Sequence, residues 1–281
     1  MADKRKSRKP APAARGRDAA QARAEAERLK AAQAAKERRT KLLAIAGAVL
    51  VVVGIVVAVV LVLIEATKSS YGDVAKPPGA IEAGAVVIGQ DLAPGGTPAE
   101  GDDVVVVRVY SDYMCPNCAS VEARLSGKFE ELAAAGKIKL EIQPLAILDY
   151  MSEGTNYSTR ASNAALTVAK YAPDKFLAFH SRLFDSDIQP GEYTEGLTDE
   201  RLIEVAQEVG IGSEATDKFA DQEFYDWITY STDKGRSDGL QGTPSMWIGP
   251  SDSRLTQIED PYGVNLDDAI ARVLAGDNPN G

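Results

Sequence analysis

The chain has 281 residues, 44% of them hydrophobic and 26% charged, which is ordinary for a globular protein with accessory segments. Its net charge of −10 is divided unevenly: residues 1–41 hold 14 Lys and Arg against 5 Asp and Glu, a net +9, which leaves −19 for the remainder. So acidic a body repels phosphate and excludes nucleic acid as its partner. One histidine, His180, and two cysteines three positions apart are too few for most zinc sites or for a disulfide-stapled scaffold.

Residues 1–17 are rich in Lys, Arg, Pro and Ala without hydrophobic periodicity, and are expected to be disordered. Residues 18–41 are strong helix formers with interleaved charges and predict a polar helix running into the next segment. Leu42 to Ile64 is an uncharged run of 23 residues. As a helix it rises about 35 Å, enough to cross a hydrocarbon core of about 30 Å. A soluble core helix would show a polar face, and a cleaved signal would have a shorter head and apolar run, so the segment reads as a single transmembrane anchor. Arg28, Lys30, Lys36, Arg38, Arg39 and Lys41 crowd its N-terminal side. The positive-inside rule then places residues 1–41 in the cytoplasm as a basic tail and the body outside the cell membrane.

Residues 65–79 read as a polar Pro/Gly linker, and the extracytoplasmic domain as residues 80–281. Val104–Tyr110 is a β-branched strand, residues 116–135 a helix stopped by Gly136, and Ile138–Gln143 an alternating second strand. That order predicts a parallel β-α-β unit. A long helical stretch follows at about 159–237, with Thr198 as an internal N-cap. Strand character returns at Ser245–Ile248, and a last helix at 265–275 is capped by Asn265. The fold class is α/β with a helical block inserted in one crossover.

The chemistry is expected at Cys115-Pro116-Asn117-Cys118, where a strand gives way to a helix. Cys115 falls near the N-cap, and Pro116 suits the first helical position. Unpaired N–H groups and the positive end of the helix dipole favour a thiolate there, so Cys115 is the expected nucleophile. Cys118, one turn further in, can close a small ring with it and resolve a mixed disulfide. Half a zinc site lacks its other ligands, and a structural disulfide closing so short a loop would add little stability. The second signal is Gly242-Thr243-Pro244, directly before the strand Ser245–Ile248.

With the strand leading into CPNC, the FHSRLF segment inside the helical stretch, and GTPSMWI, residues 80–278 resemble the membrane-anchored, actinobacterial type of DsbA-like thiol–disulfide oxidoreductase in the thioredoxin superfamily. The resemblance implies a thioredoxin-like fold with an inserted helical domain, here preceded by one transmembrane helix. It implies that Cys115 and Cys118 are the redox pair and that Thr243-Pro244 is the cis-proline loop facing them, offering backbone groups to an extended substrate. It implies exported proteins with thiols or disulfides as substrates; the sequence itself offers no Gly-rich nucleotide loop as a cofactor signature and no convincing metal set. It also implies a membrane quinone reductase of the DsbB or vitamin-K-epoxide-reductase-like type as partner. The central Pro116-Asn117 departs from the Pro-His of the best-known strong oxidant, and so lacks a thiolate-stabilising histidine. A disulfide donor is the leading expectation. A tethered reductase or isomerase, or a chaperone whose cysteines are incidental, are the alternatives.

Other residues stand out less. His180, between aromatics at helical spacing, reads as a packed structural histidine. Arg108 and Glu141 read as solvated edge residues in preference to a buried pair tuning the cysteines. Asp112 either raises the Cys115 pKa or faces water. Tyr113 and Trp247 are candidates to line a substrate groove, with Trp247 equally a core residue. Asn156-Tyr157-Ser158 matches the glycosylation sequon.

Overall fold

The computed structural model describes residues 12–67, 74–101, 103–251 and 254–281. They divide into two units, residues 1–70 and 71–281. The first is one continuous helix, α1 (Pro12–Thr67). The expected disorder of residues 1–17 lies outside the described residues up to residue 11; residues 12–17 belong to the helix. Lys36–Val59 is long and apolar enough to cross a membrane, and none of it is buried in protein. Side chains such as Leu43 (72% exposed) and Leu50 (72%) are therefore bare on every side, which suits lipid and not water.

The second unit is built on a five-stranded sheet in the order β1-β3-β2-β4-β5. Its strands are β1 (Val86–Ile88), β2 (Val105–Ser111), β3 (Ile138–Pro144), β4 (Ser245–Pro250) and β5 (Thr256–Gln257). β2 and β3 run parallel through α2 (Pro116–Ala134), as the strand–helix–strand pattern requires; the other pairings are antiparallel. Gly136 ends α2 in a left-handed conformation (φ 69°). Lys137 N–H then reaches the Leu132 carbonyl at 2.9 Å and Gly136 N–H the Ala133 carbonyl at 3.0 Å, so the orphan carbonyls are satisfied. β1 and β5 are too short, at three and two residues, to have announced themselves as periodic runs. The linker expected over residues 65–79 overlaps the end of α1, and packing of the second unit against its core begins at Val74.

Between β3 and β4 lies the helical insert: α3 (Tyr157–Tyr171), α4 (Phe176–Arg182), α5 (Asp199–Glu208), α6 (Ser213–Thr216) and α7 (Tyr225–Ser237). The single stretch read as 159–237 is thus five helices with loops. Pro173 and Pro190 lie in two of these breaks, where a missing N–H and a fixed φ cannot continue a helix. α8 (Leu266–Leu274) closes the chain. Thr198 and Asn265 cap α5 and α8, accepting from Arg201 N–H (3.2 Å) and Asp268 N–H (3.3 Å). Alternate residues of β2 fill the two sides of the sheet. Val105, Val107 and Val109 join the main core with α2, α3 and α4, while Tyr110 packs with Leu145, Leu240 and Trp247.

Arg108 and Glu141 are not solvated edge residues. β2 and β3 are interior strands, and the two residues are register partners on them. The Arg108 guanidinium donates to Glu141 Oε2 at 2.7 Å, with the two side chains only 13% and 3% exposed. Lys139 Nζ stands 3.7 Å from the other carboxylate oxygen. The valine run reads as a buried strand, but the Arg108–Glu141 register is set only when β3 pairs beside β2. Replacing one partner strands a charge, whereas replacing both does not. Arg108→Met is expected to cost about 3–5 kcal/mol in denaturant unfolding, and Arg108→Met with Glu141→Leu to recover most of it.

Candidate active site

β2 ends at Ser111, and the next four residues turn the chain into α2. Cys115 is the N-cap of α2, with extended φ and ψ (−82°, 112°), and Pro116 occupies its first turn. The turn is closed by backbone bonds from Cys115 N–H to the Asp112 carbonyl and from Cys118 N–H to the Cys115 carbonyl, both 3.0 Å. Pro116 and Asn117 face solvent, while Cys115 and Cys118 are 4% and 2% exposed. Both cysteines are free thiols.

The Thr243–Pro244 bond is cis. Across 128 residues of sequence the Cys115 thiol donates to the Thr243 carbonyl at 3.4 Å, so the fold brings the two motifs together. Cys115 has its pKa lowered to about 7. The hydrogen bond from the Cys118 thiol is the main cause. Burial opposes it, and the Cys118 N–H, the Thr243 side chain and the Asn117 N–H add to it. Cys118 is pushed well above the ordinary thiol range, by burial first and then by its neighbour Cys115. One sulfur is therefore primed as a thiolate, and the other holds its proton.

Asp112 neither faces water nor figures among the principal influences on Cys115. It is fully buried, and its carboxylate accepts from Met114 N–H (2.9 Å), Leu148 N–H (2.9 Å) and the Ser158 hydroxyl (2.6 Å). It braces the cysteine loop against the loop after β3 and against α3. Burial still dominates, and the pKa rises to about 6 despite the three bonds. Of the sequon, Ser158 is buried and spent on this bond, while Asn156 is exposed.

Tyr113 is also fully buried and so cannot touch a substrate. Its hydroxyl lies 2.8 Å from His180 Nδ1, and the His180 Nε2 lies 3.6 Å from Glu122 on α2. Ser181 donates to the same carboxylate at 2.7 Å. His180 is packed between Phe176 and Phe184, as read from the sequence. It also links the cysteine loop and the cysteine helix to α4. Trp247 packs on Tyr110 (5.7 Å between ring centres) and donates to Ser245, away from the cysteines' cluster.

Gln189 carried no signal in the sequence. Its side-chain amide donates to the Cys115 carbonyl at 2.9 Å and the Tyr113 carbonyl at 3.3 Å, spanning more than 70 residues from the loop after α4. A polar residue in an irregular loop has no periodicity to betray it; only the tertiary structure assigns it.

Two outcomes follow from these bonds. Gln189→Leu leaves the Tyr113 and Cys115 carbonyls without this donor and is expected to cost about 1–3 kcal/mol in denaturant unfolding. The Asp112 carboxyl is expected to titrate near 6 in NMR spectra of the folded chain. A raised carboxyl pKa means that the folded state holds a proton the unfolded chain has released. Its contribution to stability is full below the ordinary carboxylate pKa and is lost as pH rises through about 6.

A family model described as thioredoxin matches residues 97–258. Reduced DsbA from Mycobacterium tuberculosis is 26% identical and superposes with a TM-score of 0.54 over 70% of this chain and 94% of its own. MdbA, a thiol–disulfide oxidoreductase from Actinomyces oris, shares the fold with a TM-score of 0.55 at 19% identity, covering 76% of this chain and 96% of its own. Among curated proteins, the serine/threonine-protein kinase PknE of M. tuberculosis is 28% identical over 184 residues, 63% of this chain. The match spans only 30% of the kinase's length. The chain belongs to the thioredoxin family, in the DsbA-like form whose sheet carries a helical insert.

Proposed function

We propose that the protein is a thiol–disulfide oxidoreductase acting on exported proteins outside the cytoplasmic membrane, and that Cys115–Cys118 serves as a disulfide donor. The observation that carries the exchange chemistry is the asymmetry of the pair, with Cys115 lowered to about 7 and Cys118 raised, at the start of one helix; the donor direction rests on the likeness to DsbA. In the donor direction a substrate thiolate attacks the Cys115 sulfur of the disulfide, and Cys118 leaves as the thiolate and takes up a proton. A second substrate thiolate then attacks the substrate sulfur of the mixed disulfide. Cys115 leaves, the substrate gains a disulfide, and two electrons remain on the enzyme as the dithiol. A leaving thiol of low pKa departs faster, and a value near 7 is shared with thioredoxin, so the direction of exchange is read from the potential. Thr243 and Pro244, beside Cys115, would pair with the backbone of the incoming segment.

The apolar run within α1 supports a single membrane crossing, and the basic residues before it support a cytoplasmic N-terminus. A membrane quinone reductase of the DsbB or vitamin-K-epoxide-reductase-like type would reoxidise the dithiol. Confining both to one membrane raises their effective concentration.

The test is the reduction potential of the full chain in detergent micelles, equilibrated with glutathione and read by thiol alkylation. A donor is expected nearer the DsbA value of about −120 mV than the thioredoxin value of about −270 mV; a value at the thioredoxin end would make it a reductase. Cys115→Ser is expected to abolish exchange, and retained activity would identify a chaperone. Alkylation of Cys115 is expected to rise with pH with a midpoint near 7, about 1.5 units below a free thiol.

A further inference from the structure

Large apolar side chains left in water mark interaction surfaces when they gather in one place. Among the described residues of the second unit, the exposed ones are Tyr150 (72%), Tyr193 (68%), Tyr262 (44%) and Leu274 (49%). Tyr150, in a single 3₁₀ turn, and Tyr193, in a loop, sit on segments fastened to the cysteine motif, and Tyr262 on a loop fastened to α2. Tyr150 follows Leu148, whose N–H is held by Asp112 at 2.9 Å. Tyr193 follows Gln189, which holds the Cys115 carbonyl at 2.9 Å, and Tyr193 N–H joins the two loops by donating to the Met151 carbonyl at 2.9 Å. Tyr262 lies in a loop pinned to α2 by Arg124, which donates to the Pro261 and Val264 carbonyls at 3.3 and 3.0 Å.

The backbone carries a second sign. Among the described residues, three of the five non-glycine positions with positive φ, Glu153, Asn156 and Tyr193, fall in the first two loops. A tyrosine at φ 62° is in a conformation disfavoured for a ring-bearing side chain. Burial does not hold it there, because the ring is in solvent. Strain of this kind gathers where a side chain must be presented.

The charge names the occupant. Residues 149–156 and 185–196 contain six Asp and Glu and no Lys or Arg. Arg182 pairs with Asp185 and Asp187, and Arg160, which donates to the Thr155 carbonyl, pairs with Asp199; Asp149, hydrogen-bonded only by the neutral Thr159, and Glu153, Glu192 and Glu195 remain as surplus negative charge in the loops that carry the rings. Aromatic faces among carboxylates suit a cation on a long apolar stem, as in Lys or Arg.

We propose that these loops form a docking surface for an extended substrate segment that carries Lys or Arg within a few residues of its reactive cysteine. The inference rests on the redox reading above and adds a sequence preference to it.

The test uses the full chain in detergent micelles with Cys115–Cys118 oxidised. Two unstructured peptides of equal length are compared, one with lysines flanking a single cysteine and one with glutamates. Each rate is divided by the same peptide's rate with a small-molecule disulfide, because neighbouring charge alters the thiol's own reactivity. The Lys peptide is expected to be about tenfold faster at low ionic strength, with the ratio shrinking severalfold near 1 M salt, where screening acts within about 3 Å. Tyr150→Ser with Tyr193→Gly is expected to lower the ratio without lowering the melting temperature, since glycine accepts the positive φ. Glu153→Gln with Glu192→Gln and Glu195→Gln is expected to remove most of its salt dependence. Equal normalised rates, or a preference for the Glu peptide, would overturn the proposal and leave the redox reading standing. A preference that survives both variants would belong to the overall acidity of the body and would equally overturn it. No exchange with either peptide would sink the redox reading itself.

Discussion

One buried carboxylate holds the working parts of this molecule together. Asp112 takes a backbone N–H from the cysteine loop, another from the loop after β3, and a hydroxyl from the first helix of the insert. Sheet, insert and motif therefore meet on a group that has lost its water. The cost of that burial appears in its raised pKa, and the three donors offset only part of it. Without such a tie the stretch between β2 and α2 would be a free turn, and the N-cap geometry that activates Cys115 would be one of several conformations. The Tyr113–His180 contact secures the same loop from α4, and Gln189 secures it from the loop that follows α4.

The insert is thus more than an appendage on a thioredoxin sheet. The sheet supplies a rigid strand ending beneath the cysteines, and the helix start supplies the polarised N–H groups. What the insert adds is a set of long-range hydrogen bonds that fix the loop between them. The pair of sulfurs remains unequal because their surroundings are unequal. One stands at the N-cap, within reach of the Thr243 loop, and the other lies a turn deeper in the core.

The sequence disclosed what repeats or punctuates. The apolar run within α1, the β2–α2–β3 unit, the Thr198 and Asn265 caps and the Gly136 stop are all written in short spacings, and the structure has each of them. Cys115 could be placed at an N-cap because Pro116 follows it. Pairings between distant positions had no such notation. The valine run marks a buried strand but does not say whether Arg108 pairs with Glu141 or is solvated, and Asp112 is open to two readings, raising the Cys115 pKa or facing water. Gln189 and Ser158 had nothing to single them out. These are choices of tertiary packing, made among residues 33 to 74 positions apart, and no local pattern records them.

Gly196 shows how the molecule separates what is fixed from what is free. It stands at φ 74° directly against the Tyr157 ring, where any side chain would overlap the ring carbons. The base of the Tyr193 loop is therefore seated on α3, next to the residue that binds Asp112. Its tip touches none of that machinery. Tyr150 and Glu153 are exposed and Glu192 half-exposed, and none of the three side chains bonds to the cysteine loop. A lineage of such proteins can drift in the company it keeps without relearning its trade, since the interchangeable face and the reactive floor share anchoring points but no side chains.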